Sequence, residues 1–381
     1  MKKIMIFYGS YGGGHLSAAR SIKEYIETNY IDTQIQMVDC MEYINKVINK
    51  VTTTAYSEVA KKAPWAWGHI YKKAEKGVIA KISTDSNKLM AHKLNKLLRE
   101  FCPDYVISTH PFSSQMCAYL KKKNKIDFKL ATVMTDYAPH EQWLLYPEEV
   151  DCFFVAHTGM RDELIEKRIS KVKVYATGIP LSNRFLEHYN KKEILEELGL
   201  KQRKKNILFF AGGELGLGKN TTLEILKTLA ENFPNIQIIA IAGKNKNMKE
   251  KFEEVVQNTF RHDSIKILDY TNKVPELMSI CDLVITKPGG LTTTESLASG
   301  LPIIVINPIP GQEEENADFL VSNNMAVRLE GGRNGINVIK NLLENRNKLE
   351  FMKYSCKIFD KSHSLDNIIK LIMELMNNNS Q

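Results

Sequence analysis

The sequence predicts an α/β protein built from two doubly wound parallel sheets, and three observations predict it. Short β-branched runs alternate with longer amphipathic stretches along the first half. The alternation breaks near Gly178–Pro180, crosses the polar, charged stretch Asn183–Lys205, and then restarts. The 381 residues are long for one domain and comfortable for two, each able to bury its own core.

In order along the chain, Lys3–Tyr8 reads as a buried strand and Leu16–Asn29 as the helix after it. Thr33–Val38, Tyr105–Ser108, Lys129–Thr135, Asp151–Ala156 and Val172–Ala176 follow as strands. Helical stretches between them imply a parallel sheet with crossover helices. Met41–Arg99 has no clear central strand and reads as a helical or irregular insertion. Beyond the break, Asn206–Ala211, Ile236–Ala242, Ser264–Leu268, Leu283–Thr286, Ile303–Ile306 and Ala326–Leu329 repeat the pattern. The domains therefore divide near residues 178–183, as 1–178 and 179–345. The chain is helical from Asn341 on, and its last segment, 346–381, is expected to pack back toward the N-terminal domain.

Hydrophobic residues at 43% and charged residues at 25% match an ordinary globular protein and exclude collagen-like and disordered classes. The net charge of +8 gathers in clusters such as Lys61-Lys62, Lys72-Lys73 and Lys121-Lys122-Lys123. That balance suits an anionic partner, although a solvated lysine face explains any single cluster equally well. The six cysteines form no CxxC pair or zinc spacing and read as buried free thiols of a reducing cytosol. The apolar run Ile4–Tyr8 is too short for a signal peptide, and no stretch approaches the ~20 residues that cross a bilayer. Contact with lipid would therefore come from the surface.

Three segments carry chemistry. Gly9-Ser10-Tyr11-Gly12-Gly13-Gly14-His15 lies between the first strand and its helix. Its glycines allow close backbone approach and leave helix N-terminal N–H groups free. The spacing is not that of a dinucleotide fingerprint. His15 stands at the crevice mouth, where a near-neutral imidazole can act as general base; capping the helix or satisfying a loop carbonyl is the alternative role. Gly213 through Lys219 fits GxxxxGK after a strand, but Asn220 replaces the hydroxyl residue that would hold Mg²⁺. What survives is a glycine loop at a domain's first strand–helix turn, suited to a diphosphate or to substrate closing across a cleft.

The third segment is the most specific. Lys287-Pro288-Gly289-Gly290-Leu291-Thr292-Thr293-Thr294-Glu295 runs from a strand end into a helix that opens on three threonines. Unpaired N–H groups at that positive helix end favour an anion by roughly 0.3–1 kcal/mol per charge. Glu295, one turn inside, is placed to accept both hydroxyls of a ribose. Gln312 and Asn316, at the turn after Pro308-Ile309-Pro310-Gly311, supply amides suited to sugar hydroxyls. Each element alone is also what a well-capped helix needs.

Together, Gly12-Gly13-Gly14-His15, Gly289–Glu295 and Gly311-Gln312 with Asn316 resemble the inverting GT-B glycosyltransferases, including the N-acetylglucosaminyltransferase that forms lipid II. The resemblance spans nearly the whole chain. It is closer to the diacylglycerol glycosyltransferases: plant monogalactosyldiacylglycerol synthase and the bacterial processive glucosyltransferases. Thr135-Asp136 with His140 and Trp143 looks like the TDxxxHxxW element of that lipid branch.

The resemblance implies a GT-B architecture, two Rossmann-like domains facing a cleft, and a set of roles. Gly290, Leu291 and Thr292 would hold the diphosphate, Glu295 the ribose, Gln312 and Asn316 the sugar, and backbone near Val274 the uracil. Gly212, Gly213 and Gly216 would shape the phosphate-facing loop, although the near-P-loop departs from the family's glycine-rich form. His15 is the favoured base, with Asp136 as competitor or partner; Gly13, Gly14, His140 and Trp143 would line the acceptor side. Trp65 and Trp67, in a stretch with six lysines at Ala60–Lys81, would meet an anionic membrane, although a packed hairpin explains the stretch equally well.

The implied activity is transfer of glucose or galactose from UDP-glucose or UDP-galactose to diacylglycerol or another lipid acceptor, with inversion. No cofactor, metal or nucleic acid is implied, and the protein would work in the cytoplasm, on the inner face of the cell membrane. A UDP-sugar 2-epimerase on the same fold, or a UDP-sugar-binding regulatory protein, is the alternative.

Overall fold

The computed structural model describes residues 1–9, 13–44, 91–124, 126–211, 219–259, 261, 263–329 and 332–377. The expected contacts of Trp65, Trp67, Gly212, Gly213 and Gly216 lie outside the described residues, as does most of the insertion. The chain forms two compact units. The first comprises Met1–Ser182, Pro310–Gln312 and Lys361–Gln381; the second comprises Asn183–Ile309 and Glu313–Asp360.

The first unit is a six-stranded parallel sheet with the order β2-β1-β3-β4-β5-β6. Its strands are β1 (Lys2–Tyr8), β2 (Thr33–Asp39), β3 (Tyr105–Ser108), β4 (Lys129–Val133), β5 (Cys152–Phe154) and β6 (Val174–Tyr175). Ile4, Met5, Ile6 and Phe7 are all fully buried, as they must be in a strand covered on both faces. The run expected at Lys129–Thr135 stops at Val133, which releases Thr135 and Asp136 into the following loop.

The second unit repeats the design in the order β12-β11-β10-β7-β8-β9. Its strands are β7 (Lys205–Phe210), β8 (Ile236–Ile241), β9 (Ile265–Leu268), β10 (Leu283–Thr286), β11 (Ile303–Val305) and β12 (Ala326–Arg328). All twelve expected strands form, each with its ends within two residues of the expected ones.

Strand order places the chemistry. In the first sheet the chain leaves β1 toward β2 and leaves β3 toward β4, so the connections diverge between β1 and β3. In the second sheet they diverge between β7 and β10. Ligands of open parallel sheets sit at the carboxyl ends of strands at such switch points. All three glycine-containing segments follow a strand at one of them.

The C-terminal helices divide between the units. The helix Ser364–Asn377 lays Leu365, Ile368, Ile369 and Ile372 on the first core, beside Ile22 and Ile26 of the helix Gly14–Asn29. This i, i+3, i+4, i+7 stripe is the apolar face of an amphipathic helix. The helix Arg346–Ile358 stays in the second core through Leu349 and Met352. Gly178 allows the return: its φ is +97°, and an added Cβ would lie 2.6 Å from Cβ of Lys361. Five cysteines are buried free thiols, while Cys102 is exposed. Among the described residues no helix is long and apolar enough to cross a membrane.

Candidate active site

In the first unit, three loops converge on His15. The helix Gly14–Asn29 begins after Gly13, with no side-chain cap, and a Cβ added at Gly13 would meet nothing within 4 Å. His15 therefore does not cap its helix. Its Nδ1 lies 2.6 Å from the carbonyl oxygen of Thr109, just after β3. The Thr109 hydroxyl donates back to the His15 carbonyl at 3.0 Å. A carbonyl only accepts, so Nδ1 carries the proton and Nε2 keeps a lone pair. The loop-carbonyl role considered as an alternative for His15 is thus real, and it is what prepares Nε2 to take a proton. Thr135 adds its hydroxyl 3.0 Å from the same Nδ1.

Burial holds the His15 pKa below its ordinary value, while the Asp136 carboxylate and the bond to Thr109 oppose the shift. The imidazole is thus neutral at pH 7, as a base must be. Asp136 is half-buried and acts on His15 through its charge. Its loop is tied down by His157, whose Nε2 donates to the Tyr137 carbonyl at 2.9 Å and whose Nδ1 accepts from Met160 N–H.

His140 and Trp143 are buried, at 6% and 1% exposure, with ring centroids 5.9 Å apart. Their burial leaves neither side chain on the protein surface. Burial, reinforced by the nearness of His15, pushes the His140 pKa down to about 3.

His110 was not singled out in the sequence, yet its ring lies edge-on to His15 at 4.6 Å between centroids. The available signal was a His-Pro pair immediately after a β-branched run, at the strand whose loop turns away from that of β1.

In the second unit, β10 leads through Lys287-Pro288-Gly289 into the helix Gly290–Ala298. The first intrahelical bond runs from Thr293 N–H to the Gly289 carbonyl at 2.9 Å, leaving the N–H groups of Gly290, Leu291 and Thr292 without helical acceptors. A Cβ at Gly289 would meet nothing within 4 Å, so the approach to these groups is open. Leu291 is buried and can offer only its backbone. Of the three threonines, Thr293 and Thr294 turn inward, and Thr294 donates to the Gly290 carbonyl at 2.7 Å. Thr292 is the one left half-exposed.

Glu295 follows Leu291 and Thr292 by four and three residues, so it shares their face, and its side chain leans toward the helix N-terminus. It has no hydrogen-bond partner among the described residues, and burial pushes its carboxyl up to about 8. Asn316 is fully buried and donates from Nδ2 to the Pro288 carbonyl at 3.0 Å. That bond anchors the turn carrying the open N–H groups. Gln312, which belongs to the first unit, opens the helix Gln312–Ser322 and is half-exposed, after Gly311 with φ +105°. Val274 is half-buried at the start of the helix Val274–Ile280, whose entry is shaped by Pro275.

Comparison with known proteins matches both units. Residues 15–181 match the family model described as monogalactosyldiacylglycerol (MGDG) synthase, and residues 190–357 match that of glycosyl transferases group 1. The chain is 30% identical over 380 residues to a processive diacylglycerol beta-glucosyltransferase of Bacillus pumilus, covering 98% of this chain and 95% of that one. Among solved structures it resembles MurG of Acinetobacter baumannii, with TM-score 0.66 and 13% identity over 98% of this chain and 100% of that one. It also resembles UDP-GlcNAc 2-epimerase of Neisseria meningitidis bound to UDP-GlcNAc, with TM-score 0.62 and 15% identity over 98% and 100%. Such distant structural likeness shows the shared GT-B fold; full-length sequence kinship decides between the activities found on it. The chain belongs to the family of processive diacylglycerol β-glucosyltransferases.

Proposed function

We propose that this protein transfers glucose from UDP-glucose to diacylglycerol or a glycosyl-diacylglycerol, with inversion and without a metal or other cofactor. The observation that carries the reading is His15, held with a free Nε2 lone pair at the first switch point. The relatives' activity supports glucose as the sugar.

The displacement is a single step. Nε2 of His15 takes the proton of the acceptor hydroxyl, whose oxygen attacks the anomeric carbon. The bond to the β-phosphate oxygen breaks, and UDP departs with the electron pair. The open N–H groups of Gly290, Leu291 and Thr292 stabilise the departing diphosphate, with Glu295 on the ribose and Gln312 beside the sugar. Donors aimed at developing charge need no metal between them and the leaving group. Asp136 stabilises the imidazolium that forms.

Asp136 gives a sharp expectation. Its negative charge raises the His15 pKa against burial. Asp136→Asn should therefore move the acid limb of kcat to lower pH. It should also reduce kcat by about 10–100-fold, because the imidazolium loses its counter-charge. A pH–rate profile checks both; an unmoved limb would remove Asp136 from the proton transfer.

The overall reading is tested with radiolabelled UDP-glucose and UDP-galactose offered with diacylglycerol in anionic and in zwitterionic vesicles. Glucosyl-diacylglycerol, formed faster on the anionic vesicles, is expected on account of the basic clusters and a working place at the membrane surface. Isomerisation of UDP-GlcNAc without acceptor would instead indicate an epimerase.

A further inference from the structure

We propose that His110 is a positioning residue for the base: its ring, wedged between Gly9 and His15, sets the plane in which Nε2 of His15 meets the acceptor hydroxyl. The proposal rests on the reading of His15 as base. It is carried by a contact that the fold creates between the ends of β1 and β3.

Three features lock the His110 ring. It is 4% exposed. Its Nδ1 accepts the Phe112 N–H at 3.2 Å, so the neutral ring carries its proton on Nε2. Its backbone carbonyl accepts from the hydroxyls of Ser108 and Ser113 at 2.9 and 3.0 Å, which pins the turn after β3. Besides the Phe112 ring, edge-on at 5.1 Å between centroids, the ring meets two neighbours. One is His15, at 4.6 Å and 73° between planes, an edge-to-face pair. The other is Gly9, where an added Cβ would lie 2.8 Å from Cδ2 of His110. Gly9 is therefore glycine because the His110 ring occupies the place of a side chain. Thr109 fixes Nδ1 of His15 but leaves its ring free to rock about that bond. His110 supplies the wall that stops the rocking.

The charged and titratable groups acting on His15 and His110 are Asp136 and His140, besides the two rings themselves. Burial, with His15 and His140 adding to it, holds His110 neutral. It can thus serve as a wall without competing for the proton, and an uncharged ring of similar shape should replace it.

The test is a set of variants measured by steady-state kinetics, pH–rate profile and thermal unfolding. His110→Ala should lower kcat by roughly 10–100-fold with the KM for UDP-glucose unchanged. Its acid limb should move up toward the unperturbed imidazole value, since water enters the vacated space. His110→Phe keeps the edge-to-face wall and should hold kcat within about 3-fold, with the limb in place. It should be less stable than the parent, because Phe112 N–H loses its acceptor. Gly9→Ala should impair kcat through the displaced ring, and adding it to His110→Ala should cost nothing further, since the new Cβ has nothing left to strike.

Wild-type kinetics in His110→Ala, equal damage in His110→Ala and His110→Phe, or additive losses with Gly9→Ala would each overturn the proposal. If His110→Ala does not fold, His110→Gln takes its place against His110→Phe. Loss of turnover in His15→Ala alongside a wild-type His110→Ala would sink this proposal alone. Full turnover in His15→Ala would sink the base reading beneath it.

Discussion

His15→Ala is expected to lower kcat by roughly 10²–10⁴-fold, the usual contribution of a positioned base, while UDP binds as before. The separation follows from where the two functions sit. The imidazole is built from the first unit's loops, through Thr109, Thr135 and Asp136. The open N–H groups and Glu295 belong to the second unit. A ground-state contact would show as a raised KM; a group acting only in the transition state shows in kcat. Residual turnover in His15→Ala should lose the acid limb of its pH–rate profile, because the group that titrates there is gone. Steady-state kinetics with direct UDP titration measures all three quantities, and near-full turnover would dismiss the base assignment.

The second large effect is at Glu295, where function and stability should move in opposite directions. Burial raises its carboxyl to about 8, so the empty protein holds it largely protonated at pH 7. Ribose hydroxyls donate hydrogen bonds that favour the carboxylate, so binding UDP should release a proton from Glu295. Affinity should consequently rise with pH up to about 8 and level off above it. Glu295→Gln should weaken UDP binding by about 10–100-fold, the loss of hydrogen bonds to a charged acceptor, and abolish that pH dependence.

The sign for folding is the reverse. A carboxyl raised in the folded state contributes stability that is fully present below its unfolded value of 4.5 and lost as pH rises through about 8. Glu295→Gln should therefore unfold at a higher temperature than the parent at alkaline pH, with no gain in acid. Calorimetric titration in buffers of different ionisation enthalpy, with thermal scans across pH, checks both halves. A variant that binds UDP normally would take Glu295 out of the donor site.

How far the sequence discloses this molecule depends on how local each feature is. The strands were legible because parallel strands buried on both faces read as unbroken apolar runs, as Ile4–Phe7 and Leu283–Ile285 do. Their ends were less so: Thr135 continues the β-branched run of β4, yet leaves it to reach His15. The segment proposed to hold the donor was legible as a glycine turn into a helix because its glycines, Thr292 and Glu295 lie within one turn and one helix. Asn316 is different, since nothing in its neighbourhood shows that its amide is committed to Pro288. The first unit's site was the least legible. Thr109 lies 94 residues from His15, and only the strand order that sets β1 beside β3 brings Thr109 and His110 to it. The burial of His140 and Trp143 follows only once the loop after β4 is folded against the helix Pro111–Asn124, where Gln115 donates to the Gln142 carbonyl.

The central claim is a single displacement in which His15 is proposed to take the proton of the acceptor hydroxyl. The anomeric configuration of the lipid product, read by proton NMR from the coupling of its anomeric hydrogen, tests it most directly. One displacement on α-linked UDP-glucose predicts a β-glucoside, with the large coupling of two axial hydrogens. An α-glucoside would contradict the account, because retention requires a second displacement or a front-side path that a base at His15 does not provide.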